Sequence, residues 1–270
     1  MAYEMIKYEV KDRIATITFN RPEKMNAWND KQTEEVYDSV MAAEADADVR
    51  VIIITGSGRA FSAGADVTTF GKADDYQHLI DKQPRHFKQN ERPDWQTRHS
   101  YFPLVKKPII SMINGATAGL SLLYAMFSDM RFMSEDAVIT TAFSRISLTA
   151  EYGSAWMLER LVGHANALDL FISARRVKGP EAFRMGLVNQ VHPADKLAEA
   201  TYAYAKDIAE NVSPRSAWML KKQVWDLPFQ TFHEAARASM DDMLITNASA
   251  DHKEGVKAFL EKRKPVWTGK

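Results

Sequence analysis

Apolar and polar positions alternate at the start of the chain. YEMIKYEV (3–10) and RIATITF (13–19) each read as a half-buried strand, and Lys11–Asp12 between them reads as the turn of a hairpin. NRPEKMNAWND (20–30) breaks the alternation with Pro and Asn, so a loop follows. Asn29 then stands where a helix cap would, with Gln32 three positions on as in a capping box. Val36, Val40 and Ala43 give that helix one apolar stripe. VIIIT (51–55) is a continuous apolar run, which predicts a strand covered on both faces. This β-β-α-β pattern partly recurs at PIISMI (108–113), the helix after Gly119, and RFMS (131–134).

Residues 71–100 are strongly polar and predict a helical or irregular, mobile excursion over the core. From about 153 the periodicity turns helical, over 153–162, 164–174, 179–185, 195–212, 214–226 and 229–262 with a break near 251. LVNQVH (187–192) predicts one last short strand. The reading is an α/β core over 1–195 followed by an all-helical region over 196–270.

Composition narrows the chemistry. Hydrophobic residues make up 46% of the 270 and charged residues 26%, ordinary for a globular protein. A formal net charge of zero supplies no basic field for nucleic acid. The absence of cysteine excludes disulfides, thiolate metal sites and a cysteine nucleophile. No apolar run approaches the length of a membrane span, and the start lacks the long apolar stretch of a signal peptide, so the cytoplasm is expected.

The familiar nucleotide and metal motifs fail. TGSGRAF has Gly56 and Gly58, but Phe61 stands where a dinucleotide fingerprint needs its third glycine. GLSLL (119–123) lacks the last glycine of a serine-hydrolase elbow. The seven histidines show no metal-ligand spacing, and no metal is expected. Two small-residue segments survive, RAFSAGADV (59–67) and INGATAGLSLL (113–123). Each follows a strand and can bring backbone N–H groups close to a ligand, so together they could form an oxyanion hole. Taken singly, each could equally serve only close packing of turns.

Seven segments in one order resemble the crotonase, or enoyl-CoA hydratase/isomerase, superfamily: RIATITFNRPEKMNAWN, VIIITGSGRAFSAGAD, KPIISMINGATAG, the helix ending in SDMRF, LERLVG, EAFRMGLVNQVHP and KEGVKAFLEKRKP. The resemblance implies a crotonase-like spiral of repeated β-β-α units, a C-terminal helical trimerisation region, and acyl-CoA thioesters as substrates. It implies a homotrimer or hexamer, and no cofactor beyond the coenzyme A of the substrate. Carried over by position, the N–H groups of Ala65 and Leu120 would be the oxyanion donors. Lys24 and Ala27 of the first loop and Ala63 and Asp66 of the SAGAD loop would lie along the CoA, and Phe259 and Lys262 would approach one from the tail. For Lys24 and Lys262 the plain alternative is a solvated surface charge.

The chain departs from the family where hydratases carry two glutamates, for Leu123 and Phe143 occupy those positions and can move no proton. Together with Trp28 they would line an apolar acyl pocket, or be plain core. Gly119-Leu120-Ser121 stands where three glycines are common, so the Leu120 side chain must find room. Glu151, in LTAEYGSAW, aligns with a third acidic position that isomerase and dehalogenase members use. It could otherwise be a helix-end charge, worth about 0.3–1 kcal/mol. The expectation is an enoyl-CoA isomerase with Glu151 as its proton shuttle. The alternatives are a hydratase or hydrolase with Glu151 as sole base, Glu151 as a nucleophile on an aromatic acyl-CoA, and a non-catalytic acyl-CoA-binding or scaffold homologue.

Overall fold

The computed structural model describes residues 3–66, 68 and 94–270. The hairpin forms as expected, with β1 (Ile6–Lys11) antiparallel to β2 (Ile14–Phe19). Its turn is made by Asp12 and Arg13, both at positive φ. A 3-10 turn (Pro22–Lys24) leads to α1 (Asp30–Ala45). The Asn29 side chain accepts from the Gln32 N–H at 2.8 Å. The capping box does not close, because both amide atoms of Gln32 are buried without a partner.

Each turn of the chain then gives one strand to each of two sheets. β3 (Val51–Gly56), β5 (Ile109–Ile113) and β7 (Met130–Ser134) join the larger sheet, while β4 (Ala60–Ser62), β6 (Ala116–Ala118) and β8 (Val138–Thr140) join the smaller. The six-stranded sheet runs β1-β2-β3-β5-β7-β10 and the four-stranded one β4-β6-β8-β9, where β9 is Val177–Lys178 and β10 is Gln190–His192. Pairing is parallel apart from β1 with β2 and β8 with β9. This is a mixed α/β spiral.

The apolar run of β3 is explained by its two faces. Ile52 and Ile54 point into the main core with Phe19, Phe61, Leu122 and Phe127. Val51 and Ile53 point to the other side, against Leu197, Ala205 and Ala209 of α5 (Leu197–Asn211). A strand covered on both faces has no polar positions to alternate.

Besides α1 and α5, six other α-helices are described: α2 (Leu120–Phe127), α3 (Ser154–Ser173), α4 (Gly179–Arg184), α6 (Pro214–Asp226) and, in the tail, α7 (Phe232–Asn247) and α8 (Ala250–Glu261). α3 is interrupted at Gly163, where φ is 78° and ψ 162°. The tail break expected near 251 falls at Ala248–Ser249, where the Ser249 hydroxyl caps α8. α6 is pinned to the core by a buried ion pair, Lys221 Nζ to Asp129 Oδ2 at 2.8 Å. Asp129 also accepts from Trp225 Nε1 at 2.8 Å and from the Ile109 N–H at 2.7 Å, so both partners have hydrogen bonds beyond their mutual charge.

Most of the polar stretch expected to cross the core, 71–93, lies outside the described residues. At its end Trp95 sits among Phe127, Trp156, Trp225 and Phe229, with ring centroids 5.2–5.8 Å away. That cluster fixes the segment leading to His99. Among the described residues, no helix is long and apolar enough to cross a membrane.

Candidate active site

The two small-residue turns lie against each other. Gly64 has φ of +92°, and a Cβ added there would fall 2.6 Å from the Ala118 carbonyl oxygen and 3.7 Å from the Leu120 nitrogen. Only glycine permits that approach. Gly119 takes φ 50° and ψ −119° and turns the chain into α2. Leu120 is thus the first helical residue, whose N–H has no intrahelical acceptor.

The Ala65 N–H makes no hydrogen bond among the described residues, for a different reason. Trp28 and Ala65 form a parallel bridge, in which the Trp28 N–H donates to Gly64 O and the Asp66 N–H to Trp28 O, both near 2.9 Å. That pattern uses the residues on either side of Ala65 and turns its own N–H away from Trp28. Ser121 fastens the pair of turns: its hydroxyl lies 2.6 Å from Ser62 O and accepts from the Ala118 N–H at 3.0 Å. The serine that replaces a glycine of the family pattern is therefore the tie between the turns. A lone polar residue inside an otherwise apolar helix start was the available sequence signal.

The residues expected along a CoA group fall on adjoining loops. The Ala63 N–H donates to Met25 O at 2.9 Å, and Arg21 bonds both Ala27 O, at 2.5 Å, and Asp66 Oδ2, at 3.4 Å. Lys24 and Ala63 are exposed, and Ala27 and Asp66 half-buried. The hydroxyl of Thr68 beside Asp66 holds its carboxyl below the usual range. Phe259 is 83% exposed on α8, and Lys262 is exposed just past its end. Among the described residues no hydrogen bond, ion pair or ring contact joins these two to the loops.

Trp28, Leu123 and Phe143 are all buried. Leu123 belongs to the main core. Phe143 begins a 3-10 turn (Phe143–Ile146), and its ring edge lies 3.9 Å from where a Gly119 Cβ would be. From there the chain runs through Ser147 to Glu151. Glu151 does not cap α3 with its side chain: the cap position is Gly153, at positive φ, and the Ser154 N–H is taken by the Glu151 backbone carbonyl at 2.8 Å. Its carboxyl makes no hydrogen bond or ion pair among the described residues. The residue is exposed in the single chain, yet crowding by protein on its inner side raises its pKa above the usual carboxylate value. Of the described carboxylates with shifted pKa, it alone moves upward.

The neighbour of Glu151, Tyr152, meets the ring of His99 at 4.6 Å. His99 Nδ1 lies 2.7 Å from the Tyr124 hydroxyl, and burial pushes the imidazole down to about 3, so it is neutral at working pH. Tyr124 is in turn stacked on Trp28, 4.2 Å apart with rings 5° from parallel. In the sequence His99 is one histidine of the polar stretch 71–100, and the one clue to Tyr124 is a hydroxyl-bearing residue in the apolar run LSLLYAMF. The two turns thus bring the backbone of Ala65 and Leu120 close together, and the segment that leads from Phe143, beside Gly119, to Glu151 carries on to Tyr152 in the ring cluster of His99, Tyr124 and Trp28. Among the described residues, no cluster of His, Asp and Glu could hold a metal ion.

Comparison with known proteins gives this arrangement its family. The model for the enoyl-CoA hydratase/isomerase family matches residues 9–270. The chain is 34% identical to the crotonyl-CoA hydratase of Syntrophomonas wolfei over the whole of both chains. It is 28% identical to the 1,2-epoxyphenylacetyl-CoA isomerase of Escherichia coli K12, covering 99% of each. A crystal structure of a probable enoyl-CoA hydratase/isomerase from Mycobacterium abscessus superimposes with a TM-score of 0.85 at 27% identity, covering 98% of this chain and 99% of that one. With a family match across nearly its whole length and a fold shared with solved members, the chain belongs to the enoyl-CoA hydratase/isomerase family of enzymes.

Proposed function

We propose that this enzyme is an enoyl-CoA isomerase, moving a double bond along an acyl-CoA thioester with Glu151 as the proton shuttle. The observation that carries the reading is the pairing of one unpartnered, upward-shifted carboxylate with apolar residues, Leu123 and Phe143, where a hydratase pair would stand. Glu151 takes a proton from one carbon of the acyl chain. The electrons flow to the thioester oxygen, which the N–H groups of Ala65 and Leu120 hold as a dienolate. The neutral carboxylic acid then returns its proton to a different carbon, and the double bond has shifted. No water is added and no cofactor is consumed; coenzyme A enters as part of the substrate. Each oxyanion donor contributes about 10²–10³ in rate.

Lys24, Ala27, Ala63 and Asp66 would hold the CoA, and Phe259 and Lys262 would reach one from the tail. The E. coli relative is named as an isomerase, which supports this reading. The hydratase name of the S. wolfei relative favours a second one, hydration with Glu151 as sole base. Hydration needs a base for water and an acid for the α-carbon, and two groups share that work most easily. The test is incubation with 2-enoyl-, 3-enoyl- and aryl-CoA esters in deuterated water, followed by mass spectrometry. Isomerised, deuterium-bearing product is expected. Hydrated or hydrolysed product would replace the reading with its alternatives, and no exchange at all would indicate an acyl-CoA-binding protein without catalysis.

A further inference from the structure

The proposed proton carrier sits on a turn of unusual sequence. The Ser154 N–H donates to the Glu151 carbonyl at 2.8 Å, and the two residues between, Tyr152 and Gly153, have φ of 48° and 79°. Two positive φ values inside a hydrogen-bonded four-residue turn mark type I′, whose central places go to Gly, Asn and Asp. Gly153 meets that need and Tyr152 does not. A bulky residue in the left-handed region is an outlier with a conformational cost. Such residues persist where their surroundings hold them, and they gather at functional sites.

The surroundings of Tyr152 are specific. Its ring meets the His99 ring edge-on, with centroids 4.6 Å apart and planes at 76°. His99 is buried, with Nδ1 2.7 Å from the Tyr124 hydroxyl. Its segment is fixed by the Trp95 cluster and by an ion pair from Arg98 to Asp30 of α1 at 2.8 Å. Tyr124 stands one turn after Leu120 on α2 and stacks on Trp28, whose backbone is bridged to Ala65. The end of α2 also lies against the turn, for a Gly153 Cβ would fall 3.9 Å from the Phe127 ring. Ring by ring, the turn that carries Glu151 is tied to both residues proposed as oxyanion donors. The Glu151 carboxyl makes no hydrogen bond or ion pair among the described residues, so its direction comes from this backbone.

We infer that Tyr152 is a positioning residue: its ring, seated on His99, holds the Glu151 turn in register with the Ala65 and Leu120 turns. The inference rests on the reading of Glu151 as proton shuttle and adds what aims that shuttle. Neither Tyr152 nor His99 exchanges a proton with the substrate; both act through Glu151.

The test is steady-state turnover of 3-enoyl-CoA esters in deuterated water, read by mass spectrometry on the whole protein and on variants shown folded by circular dichroism. Values of kcat and KM are taken from the ester that turns over fastest. Tyr152→Gly removes the ring and leaves a residue that takes positive φ freely, so the turn survives and only its anchor is lost. Its kcat should fall at least about tenfold, since a displacement near 1 Å can cost about 10²-fold. KM should change little, because the CoA loops are untouched. Tyr152→Phe keeps the ring and should keep the rate. His99→Ala should match Tyr152→Gly, and the double variant should be no slower than either single one, because the two residues act as one unit. A smaller loss in Tyr152→Gly, a Tyr152→Phe as slow as Tyr152→Gly, or losses that multiply in the double variant would overturn the inference and leave the Glu151 reading intact. Full rate in Glu151→Gln, or no exchange by the unaltered protein, would overturn that reading and the inference with it.

Discussion

Glu151 is crowded without being paired, and the consequences for catalysis and for stability have opposite signs. As a base it must be ionised, so activity should fall as pH drops through a pKa above the usual value of 4.5. In stability the same shift means that the folded state binds the proton more readily than the unfolded one. Folding stability is fully present below the unfolded pKa and is reduced as pH rises through the folded one. Glu151→Gln keeps shape and removes the ionisation. Turnover should drop by about 10²–10⁴, the contribution of a general acid–base group. The melting temperature at neutral pH should be equal to that of the unaltered protein or somewhat above it. Rate assays and thermal unfolding on one preparation check both halves, and an active, less stable Gln variant would make Glu151 a structural charge.

At the scale of elements, the decisive objects are two turns and the hydroxyl that ties them. Among the described residues the Ala65 N–H has no acceptor because its neighbours complete the bridge to Trp28, and the Leu120 N–H has none because it opens a helix. Ala65→Pro deletes one donor. It should lower kcat by about 10²–10³, with CoA-ester affinity measured alongside to detect a distorted turn. Unchanged turnover with intact affinity would show that the turn only packs. Both turns were visible in the sequence as runs of small residues; their contact was not. Gly64 and Ala118 are brought together by the parallel pairing of β4 with β6, a relation between distant segments. The capping box at Gln32 shows the converse. Its spacing was right, but the side chain is taken into the interior, where tertiary burial overrides a local pattern.

For the whole molecule, the unusual feature is how much apolar surface the helical tail leaves bare. Phe232 is 89% exposed, Leu260 74%, Leu244 65%, Val224 64% and Met240 62%. Monomers seldom carry contiguous apolar patches of more than a few hundred Å². Self-association is the expected cover, as a homotrimer or a hexamer of two trimers. Light scattering at micromolar concentration should show three or six chains; a monodisperse monomer would remove this expectation. Among the described residues Phe259 and Lys262 make no hydrogen bond, ion pair or ring contact with the CoA loops, so their proposed role calls for such assembly.

The strands of the larger sheet, the helices, the buried nature of β3 and the small-residue turns were legible in the sequence by itself, whereas the short strands β4, β6, β8 and β9 were not, and Glu151 stood out only through the family resemblance. The legible features depend on local periodicity, on residues that permit special backbone angles, and on motifs short enough to read in a line. Tertiary structure alone decided which groups meet. It brought Ser121 to Ser62, turned the Gln32 amide and the Trp28 indole N–H into an interior without partners, and placed His99 against Tyr124 and Tyr152. Those relations join residues far apart in the chain. The burial that gives each its chemical meaning comes from packing of the spiral, which no single segment encodes.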